Sequence, residues 1–170
     1  VINDDIAPTL ALIKLVTNNN GGGEVASAWT LIARAGAETP VISEQGAVVP
    51  NTNNEEAQTE QTNVSAGLIY TLSETGPSGY AASNWECDGG SLVDGAIQLA
   101  LATNVTCTIT NDDIAPTVTI TKIVENLYGG DALVSNFTLY LGDTEVVSGQ
   151  EYTSFLAGKY TVTEASELDN

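Results

Sequence analysis

From Val105 to Asn111 the chain alternates without interruption: Val105, Cys107, Ile109 and Asn111 fall on one side, and only threonines on the other. Successive side chains of a strand point to opposite faces, so this run commits the backbone to an extended strand with one inward face. Asn111 is in phase with the apolar set. The same happens in Tyr70-Thr71-Leu72-Ser73-Glu74, where Glu74 shares a face with Tyr70 and Leu72. Near the start, Lys14 is in phase with Leu10, Leu12 and Val16, although apolar Ala11, Ile13 and Leu15 leave that run ambiguous. A later segment, Thr117-Val118-Thr119-Ile120-Thr121-Lys122, resolves it by placing Lys122 with Val118 and Ile120. An amine, a carboxyl and a carboxamide thus point into one core.

That later segment belongs to an internal repeat. Asn3-Asp4-Asp5-Ile6-Ala7-Pro8-Thr9 recurs as Asn111-Asp112-Asp113-Ile114-Ala115-Pro116-Thr117, an offset of 111 − 3 = 108 residues. Lys14 maps to Lys122 and Trp29-Thr30-Leu31 to Phe137-Thr138-Leu139 at the same offset. Residues 66–74 return as 157–164, so Glu164 matches Glu74, and Asn3 matches Asn111. The second copy lacks most of 47–63, which marks that stretch as a dispensable loop, with the polar part 50–63 expected to be a mobile surface segment. The organisation predicted is the end of a preceding repeat in 1–6, a complete repeat in 7–113 and an incomplete second repeat in 114–170. A period this long implies domains in tandem, each with its own core, in a window on a longer chain.

Short runs rich in Thr, Val, Ile and Tyr, separated by Gly, Pro and Asn clusters, predict an all-β fold of tandem sandwich domains. Asn20-Gly21 predicts a hairpin between the first two strands. No apolar stretch approaches the length needed to span a bilayer. Four basic residues against 22 acidic ones give a net charge of −18. Phosphate-driven nucleic-acid binding is excluded, because its dominant attractive term is missing. A soluble, mutually repelling surface accounts for most of the charge. It does not account for two of the four cations, Lys14 and Lys122, occupying one repeated core-facing position.

Cys87 is in phase with Trp85, and Cys107 with Ile109. An even cysteine count in a chain without histidine or methionine points to a disulfide and an oxidising compartment. Closing that loop would stabilise the fold by about 3 kcal/mol. Two buried free thiols are the alternative.

The order of these elements carries a family resemblance. A core Lys in the first strand, Ala-Gly-x-Tyr-x-Leu-x-Glu in a middle strand, Gly76-Pro77-Ser78-Gly79-Tyr80 after it and Thr108-Ile109-Thr110-Asn111 at the end resemble the collagen-adhesin B-type, prealbumin-like repeats of bacterial surface proteins. The resemblance covers 9–111 and the start of the next unit. It implies a transthyretin-like β-sandwich used as a stalk or pilin module. It also implies an intramolecular isopeptide bond between Lys14 and Asn111, promoted by Glu74, with Asn3, Lys122 and Glu164 as the equivalent positions in flanking repeats. The cysteine pair departs from that pattern.

The residue types suit the chemistry. Lysine is nucleophilic only when neutral, and burial among apolar groups lowers its pKa. A protonated acid can donate to the Asn carbonyl and make its carbon electrophilic; attack expels ammonia and leaves an amide. An unreacted Lys–Glu ion pair with Asn alongside satisfies the same burial rules. Such a bond forms once, on the protein itself, so the chain is not expected to be an enzyme.

Two further sites are candidates. Asp4, Asp5, Asp112 and Asp113 cluster at the unit junctions, where Ca²⁺ would stiffen the string; a polar turn is the alternative. Asn63, Asn104 and Asn136 begin sequons. The function expected is a structural link in a long extracellular surface protein or filament, with neighbouring repeats or identical subunits as partners. The alternative is an adhesive, ligand-binding module of a large adhesin.

Overall fold

Alternation becomes two facing sheets in the first of two units. The computed structural model describes residues 1–166, and the chain divides between Ile114 and Ala115. In chain order the first unit forms β1 (Thr9–Thr17), β2 (Thr30–Ala35), β3 (Ile42–Gln45), β4 (Ala47–Val48), β5 (Glu56–Gln58) and β6 (Thr62–Asn63). It continues with β7 (Ile69–Thr75), β8 (Tyr80–Ala82), β9 (Glu86–Cys87), β10 (Ser91–Val93), β11 (Ala96–Gln98) and β12 (Asn104–Asp113). One sheet runs β4-β5-β1-β12-β8, with β6 also on β1 and β9 also on β12; the other runs β10-β11-β7-β2-β3. Leu10, Leu12, Val105 and Cys107 from the first meet Leu31, Tyr70, Leu72 and Ile97 from the second in one buried cluster.

The opening and closing strands lie side by side. β1 and β12 pair in parallel, from Thr9 opposite Asn104 to Thr17 opposite Asp112, so Lys14 faces Ile109 and Val16 faces Asn111 across the ladder. A parallel pair requires a long crossover, and here the whole second sheet is built within it. In β12 the inward set Val105, Cys107, Ile109, Asn111 and Asp113 is buried while the intervening residues are not.

Two expectations from the sequence are corrected. Asn20-Gly21 does not turn a hairpin: β1 and β2 belong to different sheets, and the loop between them crosses the sandwich through a short 3-10 turn, Ala26–Ala28. The N–H groups of Asn19, Asn20 and Gly22 are taken by the Asp113 carboxylate, which holds the loop as a crossing. The stretch 47–63 is not merely a surface loop either. It supplies β4, β5 and β6, and β5 sets Ala57, fully buried, opposite Lys14. Between β5 and β6, Thr59 Oγ1 accepts the Leu12 N–H at 2.9 Å.

The second unit contains β13 (Val118–Thr119), β14 (Phe137–Leu141), β15 (Thr144–Val146), β16 (Glu151–Tyr152) and β17 (Val162–Ser166). β14 lies between β15 and β17, and β13 pairs with β16. Leu139 stands opposite Glu164, as Leu31 stands opposite Glu74 in the first unit. The sequence repeat is therefore also a repeat of strand register.

Candidate functional site

Lys14 projects from the middle of β1 between Leu12 and Val16, which belong to separate apolar clusters. Its side chain is wholly buried. Burial lowers its pKa below the ordinary value, while the hydrogen bond and the charge of Glu74 act in the opposite direction. Glu74 reaches across from β7 in the other sheet. Lys14 Nζ donates to Glu74 Oε2 at 2.8 Å, and Asn111 Nδ2 donates to Glu74 Oε1 at 2.8 Å. One carboxylate bridges the two nitrogens. Asn111 is 3 % exposed, and its Oδ1 is buried with no hydrogen-bond donor. Stranding a buried carbonyl oxygen costs about 1–3 kcal/mol, so the arrangement is electrostatically incomplete as it stands.

An open cleft lined by Ser73, Ser83, Asn84, Trp85 and Asp94 reaches Glu74. It gives the carboxyl its 13 % exposure and connects the otherwise dry cluster to solvent. Against this fold and this site, residues 5–109 match the SpaA-type prealbumin-like fold domain. The chain belongs to that family. The match includes Lys14 and Glu74 and ends just before Asn111. No curated protein and no solved structure matches the chain.

In this prealbumin-like domain Cys87 of β9 lies directly opposite Cys107 of β12, and the two form a disulfide. The bridge ties β9 to the closing strand from the fully buried side of Cys107. The second unit carries its own ion pair. Lys122 Nζ donates to Glu164 Oε2 at 2.8 Å, with 19 % and 46 % of the two side chains exposed. Lys122 Nζ lies 4.1 Å from the Phe137 ring centroid, and Phe137 is the repeat counterpart of Trp29. Asn3 is exposed.

The four junction aspartates are not brought together. Asp4, Asp5 and Asp112 are exposed, whereas Asp113 is turned inward. Burial alone would raise the Asp113 pKa, but hydrogen bonds from the Gly22, Asn19 and Asn20 backbone and the Asn20 side chain hold it below the usual carboxylate value. Among the described residues no three His, Cys, Asp or Glu side chains converge as metal ligands. Of the sequon asparagines, Asn63 and Asn104 are exposed and Asn136 accepts the Leu133 N–H in a turn. Among the described residues no helix is long and apolar enough to cross a membrane.

Sequence reasoning missed three partners of the site. Trp29 and Ala57 contact the Lys14 neighbourhood from elements whose pairing was not foreseen. Gly76 makes room for Trp29: a Cβ there would overlap the indole ring. Asp113 continues the inward phase of Asn111 by two residues, a signal that was available.

Proposed function

We propose that this chain is a structural module of an extracellular surface protein or filament, and that its first unit is locked by an amide between Lys14 Nζ and Asn111 Cγ. Family membership supports the structural role, and the disulfide supports an oxidising location. The observation that carries the amide is the Glu74 carboxylate held between the nucleophilic nitrogen and the leaving nitrogen.

Bridging geometry suits a proton shuttle. Glu74 takes a proton from Lys14 at Oε2, leaving a neutral amine to attack Asn111 Cγ. The Nζ–Cγ bond forms; the Glu74 carboxyl turns to hand the proton it took at Oε2 to the departing Nδ2; the Cγ–Nδ2 bond breaks and ammonia leaves. The lysine ammonium gives up two protons in total, one to ammonia and one retained by Glu74. The products are a neutral amide, a neutral carboxylic acid and ammonia. Two buried charges disappear, and the acid proton becomes available to the stranded Asn111 oxygen. A buried pair that is expensive to desolvate is thus converted into a neutral hydrogen-bonded cluster.

Intact mass under reducing conditions tests this. The wild-type chain should lack one ammonia, and Glu74→Ala, Lys14→Arg and Asn111→Ala should each have their full calculated mass. A wild type of unmodified mass, indistinguishable from Glu74→Ala, would end the proposal.

A further inference from the structure

The outer edge of β12 is covered by one continuous segment, and that segment changes phase beside the site. Ala82 stands opposite Asn111. The Ser83 N–H donates to the Thr110 carbonyl at 2.8 Å, and Ser83 Oγ accepts the Thr110 N–H at 3.0 Å. Further along, Glu86 stands opposite Thr108 and Cys87 opposite Cys107. Asn84 and Trp85 together therefore face Ile109 alone, which makes a β-bulge. Counting by two from Tyr80, which packs inward, would aim Asn84 and Glu86 at the core. The extra residue gives that face to Trp85 and Cys87 instead, and both pack against the main apolar cluster.

Trp85 then spans the open side between the two sheets. It lines the cleft to Glu74 together with Leu92 of β10 and Gly95 of the β10–β11 turn. A Cβ on Gly95 would stand 3.9 Å from the Trp85 ring, and the Gly95 carbonyl accepts the Leu72 N–H at 2.8 Å, in the strand that carries Glu74. Asn84 and Trp85 themselves lie outside any strand. The bulge is held by the Ser83 hydrogen bonds on one side and by the Cys87–Cys107 disulfide on the other.

We propose that Trp85 is a positioning residue for amide formation: it closes the sandwich over Glu74, and the disulfide keeps it there, so that the amide forms after the disulfide. The inference rests on the chemistry proposed for Lys14 and Asn111. Two thiols in place of the bridge leave the bulge tied to β12 by hydrogen bonds alone. A segment released in this way admits water to an amine that becomes neutral by burial, and it loosens the strand that carries Asn111.

Cell-free synthesis of the 170-residue chain starts the clock. One medium contains oxidised glutathione, which takes up the two thiol hydrogens as reduced glutathione while the disulfide forms. The other contains dithiothreitol, which keeps both thiols. Folded monomer is isolated by gel filtration at intervals, fully reduced and weighed. The expected result is ammonia loss roughly ten- to a hundredfold slower in dithiothreitol. With the disulfide formed, Trp85→Ala should be slowed to a similar degree, and Trp85→Phe should regain most of the wild-type rate. These two variants decide the point where the reduced chain yields no folded monomer. Equal rates for the wild type in the two media, or a Trp85→Ala protein that reacts at the wild-type rate, overturn this inference alone. A Trp85→Phe protein as slow as Trp85→Ala overturns it too, since the ring would then not be what matters. Full calculated mass at all times in the oxidised wild type overturns the amide itself.

Discussion

Trp29 lies over Lys14, its ring centroid 4.9 Å from Nζ. An indole face attracts a cation, but its larger effect here is to exclude water from the amine. Tyr80 supports the indole edge-on at a centroid distance of 5.1 Å, and the Tyr80 hydroxyl is fixed by Asn18 and Glu24. The position of Trp29 also depends on what Gly76 lacks.

Gly76→Ala forces the indole to move. Overpacking of this kind costs about 1–3 kcal/mol. Displacing the cover should slow amide formation roughly ten- to a hundredfold, since small misplacements near a reacting centre have effects of that size. The measurement is the time course of ammonia loss after refolding, by intact mass. Ammonia loss at the wild-type rate in a folded Gly76→Ala protein would remove Trp29 from any role in the reaction.

Unreacted Lys14 carries a pH signature. Its folded pKa lies below the unfolded value of 10.5 because burial disfavours the charged form. Between those two pKa values the unfolded chain binds more protons, so stability rises with pH. The penalty is complete below the folded pKa and is relieved as pH climbs toward 10.5. Asn111→Ala, which keeps the amine, should gain stability relative to wild type across that alkaline window. In the cross-linked wild type the amine no longer titrates. Parallel denaturation curves at neutral and alkaline pH check this, and a constant difference between the two proteins would contradict it.

Strand phase made Glu74 and Asn111 legible because each sits in a strand whose neighbours alternate, and polarity out of pattern is visible in a period of two; Lys14, in a run apolar on both faces, became legible only through the alternating copy around Lys122. The all-β fold and the cysteine pair were legible for the same reason. What lies beside a strand is set by long-range pairing, which leaves no local trace. Ala57 beside Lys14 and the passage of the Asn18–Gly22 loop over Asp113 could not be read that way. Asp113 was placed among candidate cation ligands on composition, although its inward phase argued for a buried acceptor. Three backbone N–H groups now occupy that carboxylate.

Asp113 gives a second pH dependence of opposite sign. Its hydrogen bonds favour the ionised form and hold the folded pKa below the unfolded value of 3.8. That stabilisation is fully present above the unfolded pKa and is lost as pH falls through the folded one. Gly22, where a Cβ would come within 2.8 Å of the Asp113 side chain, permits the approach. Asp113→Asn should lower Tm at neutral pH and lose its disadvantage in strong acid. Thermal melts of both proteins over the acidic range test it; a pH-independent gap would show that the carboxylate's charge is not what the loop requires.

Parallel pairing of β1 and β12 decides how the first unit bears load. Tension entering at Thr9 and leaving at Asp113 pulls the two strands in opposite directions along their shared axis, loading their hydrogen bonds in shear. With Lys14 joined to Asn111, force passes from one strand to the other through the amide, and nothing between those residues can extend. In Lys14→Arg, which keeps a cation for Glu74 but cannot form the amide, the first unit should unfold under force and lengthen. The disulfide then withholds its own loop: reduction should lengthen that step by about 70 Å, from a separation of 20 residues at roughly 3.6 Å each. Single-molecule pulling of wild type and variant, with and without reductant, isolates the first unit by difference. A wild type that extends as far as Lys14→Arg would show that the two strands are held by hydrogen bonds alone.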